Sequence, residues 1–157
     1  MIAFGQKLSP EVINLARYKS INVHASLLPK YRGAAPINWA IINGEELSGV
    51  SIITVADRMD AGDILAQSSV TIDPDETAGQ LHDRLAAQAA PLLLSTIDAI
   101  EAHKAVYRQQ NEAEVTLARK LKKSDGRINF SEPADVIERK IRGFWPWPEA
   151  TADFVSA

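Results

Sequence analysis

The first 25 residues constrain the fold more than any other part of the chain. Met1-Ile2-Ala3-Phe4-Gly5 is an apolar run of strand length, Ser9-Pro10 opens a helical segment, and residues 21–25 read as a second strand. Pro10 stands where a helix needs no N–H, and Val12, Ile13 and Ala16 fall on the inner side of the segment it starts. Two strands joined through a helix lie parallel, so this stretch predicts a βαβ unit and a parallel sheet. Residues 26–33 read as a loop. Residues 34–43 read as a helix closed by Asn43-Gly44. Residues 49–55 are β-branched and apolar, the pattern of a strand buried on both faces. Residues 64–72 alternate in character, as a strand nearer the sheet edge does. The expected fold class is α/β.

Asp73-Pro74-Asp75-Glu76 carries a helix-start pattern, with Asp73 as cap, Pro74 in the first turn and Glu76 completing a capping box. Leu81, Leu85, Leu92, Ile97 and Ile100 follow at the spacing of one helical face, and Pro91 is expected to kink or divide the helix. From Lys104 the chain turns polar, so residues 104–124 read as a linker. Residues 125–157 contain a second capped start, Ser131-Glu132-Pro133, a helix over 134–142, and Phe144-Trp145-Pro146-Trp147-Pro148. They are too few for a core of their own. The expected division is a unit over 1–103, the linker, and the opening of a second domain over 125–157.

Bulk composition narrows the chemistry. The chain has 157 residues, 46% hydrophobic and 24% charged, with a net charge of −3, so it does not announce itself as a nucleic-acid binder through a basic excess. With no cysteine, thiol nucleophiles, disulfides and cysteine-based metal sites are excluded. No stretch has the length and apolarity of a membrane span, and the N-terminus lacks the pattern of a signal peptide. The expectation is a cytoplasmic protein.

Asn22 and His24 lie two apart on a predicted strand and therefore share a face. Both stand near its C-terminal end, where open α/β sheets place ligands. Asp57 and Asp60 follow the next buried strand. An amide, an imidazole and a carboxylate in one crevice suit acyl transfer, because the first two can donate to an oxyanion and the third can orient the imidazole and relay a proton. From spacing alone, a satisfied structural pair and a turn aspartate explain the same residues. His82 and His103 read as solvated helix residues. Arg119-Lys120-Leu121-Lys122-Lys123 reads as a solvated linker before it reads as a phosphate site. Trp145 and Trp147 read as packing at a domain junction. No glycine-rich phosphate loop, HExxH or GxSxG is present.

Asn22-Val23-His24-Ala25-Ser26-Leu27-Leu28-Pro29, continued by Lys30-Tyr31-Arg32-Gly33, resembles the signature of folate-dependent formyltransferases. Met59-Asp60-Ala61-Gly62 is similar to the companion motif of that family, at the family's separation. The resemblance implies a Rossmann-like domain and a linker, followed by a β-barrel domain. It implies 10-formyltetrahydrofolate as cosubstrate, with no metal, and Asn22, His24 and Asp60 as catalytic residues. Ser26, Leu27, Leu28 and Pro29, with Phe4 and Gly5, would border the folate. Gly33-Ala34-Ala35-Pro36-Ile37, residues 121–128 and Phe144-Trp145-Pro146-Trp147-Pro148 resemble the branch that formylates methionyl initiator tRNA. Branches acting on sugar nucleotides or other small amines extend similarly, and a non-catalytic remnant of the family is a further alternative.

Against the family pattern, the chain is expected to lack the first half of the Rossmann-like domain and most of the barrel. On that expectation the strand at Ile2-Ala3-Phe4 would present an unpaired edge and favour self-association.

Overall fold

The computed structural model describes residues 9–13 and 15–153, apart from the side chain of Pro10. In chain order the elements are α1 (Pro10–Ile13), β1 (Ile21–His24), β2 (Arg32–Gly33), α2 (Pro36–Ile42), β3 (Leu47–Thr54), β4 (Ile64–Thr71), α3 (Ala78–Glu101), β5 (Leu117–Ala118) and α4 (Ala134–Gly143). Short 3₁₀ turns stand at Glu112–Glu114 and Lys123–Gly126. The expected strand at Met1-Gly5, its edge and the folate-side residues Phe4 and Gly5 lie outside the described residues.

The α/β character is as expected, but the strand directions are not uniform. The three-stranded sheet has the order β1-β3-β4, and both of its ladders are antiparallel. Parallel pairing occurs between β2 and β5. The expectation of a parallel sheet therefore does not hold between β1 and β3. Ile21 stands opposite Thr54 and His24 opposite Ser51. The chain leaves β1 at His24 and re-enters the sheet near the same end.

β3 is buried along its length except at Leu47, as a β-branched run should be. Val50 and Ile52 face α2 and α3, where they form the main core with Ile41, Val70, Ala78, Leu81 and Leu85. Ile53 packs on the other side with Leu28 and Ile64. β4 is the edge strand expected from its alternation.

Helix α3 begins later than the acidic pattern suggested. Thr77 is its N-cap, and Thr77 with Gln80 forms a reciprocal capping box. Glu76 accepts the Asp73 N–H at 3.2 Å, as expected, but outside the helix, where it is buried and paired with Arg84 at 2.9 Å. The helix runs through Pro91 without division, because Pro91 lies on an exposed position, where the carbonyl it leaves unpaired can meet water. Val12 and Ala16, expected on an inner helix side, are exposed, and α1 is only one turn long. Helix α4 starts as expected, yet no side chain caps it; Glu132 pairs with Lys140 instead. It packs on α2, where Phe144 joins Ala35, Ile42 and Leu121 in a second core. No helix among the described residues is long and apolar enough to cross a membrane.

Candidate active site

Asn22, His24 and Asp60 come together, though not by the route expected. Because β1 and β3 are antiparallel, the end of β3 lies opposite the start of β1, away from His24. The loop between β3 and β4 makes the connection. Thr54 anchors that loop at both ends: its N–H donates to the Asp63 carbonyl at 2.9 Å and its Oγ1 accepts the Asp63 N–H at 2.9 Å. Asp60 adopts a left-handed backbone, φ +51°, and its Oδ2 lies 3.6 Å from His24 Nδ1. The same oxygen accepts the Gly33 N–H at 2.8 Å. Gly33 is required there. Its φ is +125°, and an added Cβ would stand 2.5 Å from the Ala118 carbonyl oxygen. Asp57 is exposed and takes no part.

His24 is 6% exposed. Its Nε2 meets the Tyr31 carbonyl oxygen at 2.9 Å. A carbonyl only accepts, so Nε2 carries a proton. Nδ1 faces the Asp60 carboxylate beyond hydrogen-bond range but within electrostatic reach. Both ring nitrogens thus point at acceptors. Asn22 precedes it on the same strand face, half-buried, and its carboxamide has no hydrogen-bond partner among the described residues.

The residues expected to border a folate divide in two. Ser26 and Leu28 are buried. Ser26 Oγ donates to the Lys30 carbonyl at 2.6 Å, and the Ser26 carbonyl accepts from Ser51 Oγ at 2.6 Å. The Leu28 N–H donates to Ser51 Oγ at 3.1 Å, and Gln67 Nε2 donates to the Leu28 carbonyl at 3.0 Å. Leu27 and Pro29 are half-buried. Leu27 lies so close over Gly49 that a Cβ there would meet it at 2.5 Å.

Several groups that shape the site carry no signal in the sequence. Gln110 Nε2 donates to the carbonyls of Asp60, at 2.7 Å, and Gly62, at 2.8 Å. Its Oε1 accepts from Arg32 Nε and Nη2 at 3.0 and 2.8 Å. Arg32 also reaches Glu112 at 2.8 Å, which holds that carboxyl below its ordinary range. Thr116 accepts the Tyr31 N–H on Oγ1 at 2.8 Å and the Arg32 N–H on its carbonyl at 2.9 Å. Tyr31 itself is left-handed, φ +62°. Burial pushes its phenol up to about 12, so the group stays a hydroxyl, donating to Glu45 Oε1 at 2.7 Å.

The remaining candidates lie elsewhere. His82 is exposed beside Asp83, and His103 is exposed with an edge-on contact to Tyr18. In the basic run, Arg119 pairs with Asp125 and stacks over Trp39 at 4.9 Å, while Leu121 is buried. Trp145 and Trp147 stay 54% and 55% exposed, and Phe144 supplies the packing instead. No group of three or more metal-ligating side chains occurs among the described residues.

Comparison with known proteins places this geometry in a lineage. The family model described as "Formyl transferase" matches residues 1–97, and "Formyl transferase, C-terminal domain" matches residues 120–156. The methionyl-tRNA formyltransferase of Agathobacter rectalis is 49% identical over 96% of this chain and 48% of its own length. That of Clostridium acetobutylicum is 46% identical over 98% of this chain and 50% of its own. The chain thus spans about half the length of these curated relatives. Among solved structures, the N-formyltransferase of Helicobacter canadensis, in complex with folinic acid and dTDP-3-aminofucose, superposes with a TM-score of 0.75. It is 27% identical, over 80% of this chain and 47% of that one. A 4-N formyltransferase from Francisella tularensis shares the fold, with a TM-score of 0.81 at 22% identity over 94% of this chain and 61% of that one. The chain belongs to the formyl transferase family.

Proposed function

We propose that this chain carries the catalytic centre for transfer of a formyl group from 10-formyltetrahydrofolate to the amino group of methionyl initiator tRNA, in the cytoplasm. One observation carries the reading: His24 is held between the Tyr31 carbonyl and the Asp60 carboxylate, with the Asn22 amide, which has no hydrogen-bond partner among the described residues, on the same strand face. The Asn22 amide donates to the formyl oxygen. His24, as imidazolium, stabilises the negative charge that develops there. The amine nitrogen attacks the formyl carbon, the bond from that carbon to N10 of the folate breaks, and tetrahydrofolate leaves. Asp60 holds His24 and, through water, receives the proton lost by the amine, while N10 gains one. The backbone of residues 26–29, with Leu27, Pro29, Phe4 and Gly5, borders the folate. The tRNA acceptor rests on the curated relatives, which are named methionyl-tRNA formyltransferase at identities of 46–49%. The catalytic part would occupy residues 1–103, with residues 125–157 opening the C-terminal domain.

The reading is tested by offering the chain 10-formyltetrahydrofolate with methionyl initiator tRNA, and separately with a dTDP-amino sugar of the kind bound by the Helicobacter canadensis protein. Formylation of the tRNA is expected, and His24→Ala should lower turnover about a hundred- to a thousand-fold. Transfer to the sugar alone would reassign the acceptor. A folded chain that binds no folate and transfers no formyl group would overturn the reading and leave a non-catalytic member of the family.

A further inference from the structure

The two residues that grip the His24 ring, Tyr31 and Asp60, both stand in left-handed backbone, with φ +62° and +51°. Neither is glycine, so each conformation is strained and persists only where neighbours hold it. The holding groups come from one distant stretch. Thr116 takes the Tyr31 N–H on its hydroxyl. Gln110 donates to the carbonyl of Asp60 itself and to that of Gly62.

Gln110 is oriented in turn. Its carboxamide oxygen accepts two N–H groups of Arg32, whose side chain is 4% exposed. Each N–H and each oxygen lone pair of the amide therefore has a partner. A flipped amide would face two carbonyls with its oxygen and the guanidinium with its NH₂. The fork of Arg32 thus fixes which end of Gln110 meets the Asp60 loop. A solvated spacer residue has no reason to use its whole hydrogen-bonding capacity in this way.

We propose that Gln110, aligned by Arg32, is a positioning residue that sets Asp60 against His24, and that residues 110–116 belong to the active centre. Its catalytic consequence rests on the formyl-transfer reading; its geometric consequence does not. Gln110→Glu separates the two. The new carboxylate still accepts from Arg32 but has no N–H for the two carbonyls, so it releases the Asp60 loop while keeping the contact with the guanidinium.

The test uses ¹⁵N-labelled chain, with the His24 ring resonances identified by their loss in His24→Ala. In Gln110→Glu the His24 ring nitrogens and the Asp60 amide should shift, while those of His82 and His103 stay in place. With 10-formyltetrahydrofolate and the amine acceptor, kcat should fall about ten- to a hundred-fold, as misplacement by about 1 Å does, with KM for the folate changed by less than about twofold. Gln110→Asn keeps the amide on a shorter arm and gives the milder version of the same readout should the glutamate variant not fold. Shifted His24 resonances in a chain whose wild type transfers no formyl group would uphold the positioning role and sink only the functional reading. Unmoved His24 and Asp60 resonances, or a loss carried by KM rather than kcat, would overturn the proposal.

Discussion

Gly62 is the point where an added methyl group should do the most harm to the site. An ideal Cβ there would stand 1.7 Å from the Thr54 carbonyl oxygen, whereas real Cβ atoms essentially never come closer than 3.0 Å. Either β3 or the loop must therefore retreat by about 1.3 Å. β3 is locked between two ladders, so the loop yields. That loop carries Asp60, whose carboxylate lies 3.6 Å from His24, and a shift of about 1 Å in a reacting constellation costs about a hundred-fold in rate. Overpacking of this kind also costs about 1–3 kcal/mol in stability. Gly126→Ala is the matched control. Its Cβ would meet the Glu149 carbonyl oxygen at 2.0 Å, with Glu149 and Pro148 atoms as its nearest neighbours. Denaturant melts of both variants, with formyl-transfer rates per folded molecule, should show comparable destabilisation but a rate loss confined to Gly62→Ala. Equal rate losses in the two variants, or an unimpaired Gly62→Ala, would refute the link between loop position and activity.

Phe144→Ala should destabilise the chain by about 3–5 kcal/mol, because Phe144 is 2% exposed among Ala35, Ile42 and Leu121; a loss below 1 kcal/mol in urea melts would show that α4 is not anchored there. The Arg119 guanidinium, and then the Lys122 N–H, hold the Asp125 carboxyl down at about 2. A depressed carboxyl stabilises the fold fully above its unfolded value near 4 and loses that contribution as pH falls towards 2. Acid titration of the wild type should therefore show a small loss in this window, small because the pair lies near the surface, and Asp125→Asn should lack it. An identical acid response in the two proteins would rule the pair out.

Strand positions were legible because burial leaves a mark on composition. The β-branched run gave β3, and alternation gave β4. Direction leaves no such mark, since an apolar strand reads the same whichever way its neighbour runs. The start of α3 shows a different failure. Asp73 to Glu76 and Thr77 to Gln80 both spell a capping box, four residues apart. The helix starts at the second; Glu76 still accepts the Asp73 N–H at 3.2 Å but is also buried against Arg84, a tertiary contact that no local pattern contains. Pro91 misled for a related reason: its cost depends on whether the orphaned carbonyl sees water, which is a property of the packed surface.

At the site, strand alternation put Asn22 and His24 on one face, and the family resemblance supplied Asp60. Neither reached Gln110 or Thr116. Gln110 is an unremarkable polar residue in a polar stretch, 50 residues from the Asp60 carbonyl it holds. Its partner Arg32 was in view only as part of a motif string, with no reason given for its burial. The physical reason is that strained backbone needs support from outside its own segment. The Asp60 and Tyr31 side chains are held by Gly33, His24 and Glu45, but the backbones that carry them are tied down by a different stretch of the chain. A search keyed to reactive side chains finds the imidazole and the carboxylate. A search keyed to left-handed, non-glycine residues, asking what pins each one, leads from Tyr31 and Asp60 directly to residues 110–116. The second question adds the groups that hold the reactive ones in place, and it requires only the backbone angles and the hydrogen bonds around them.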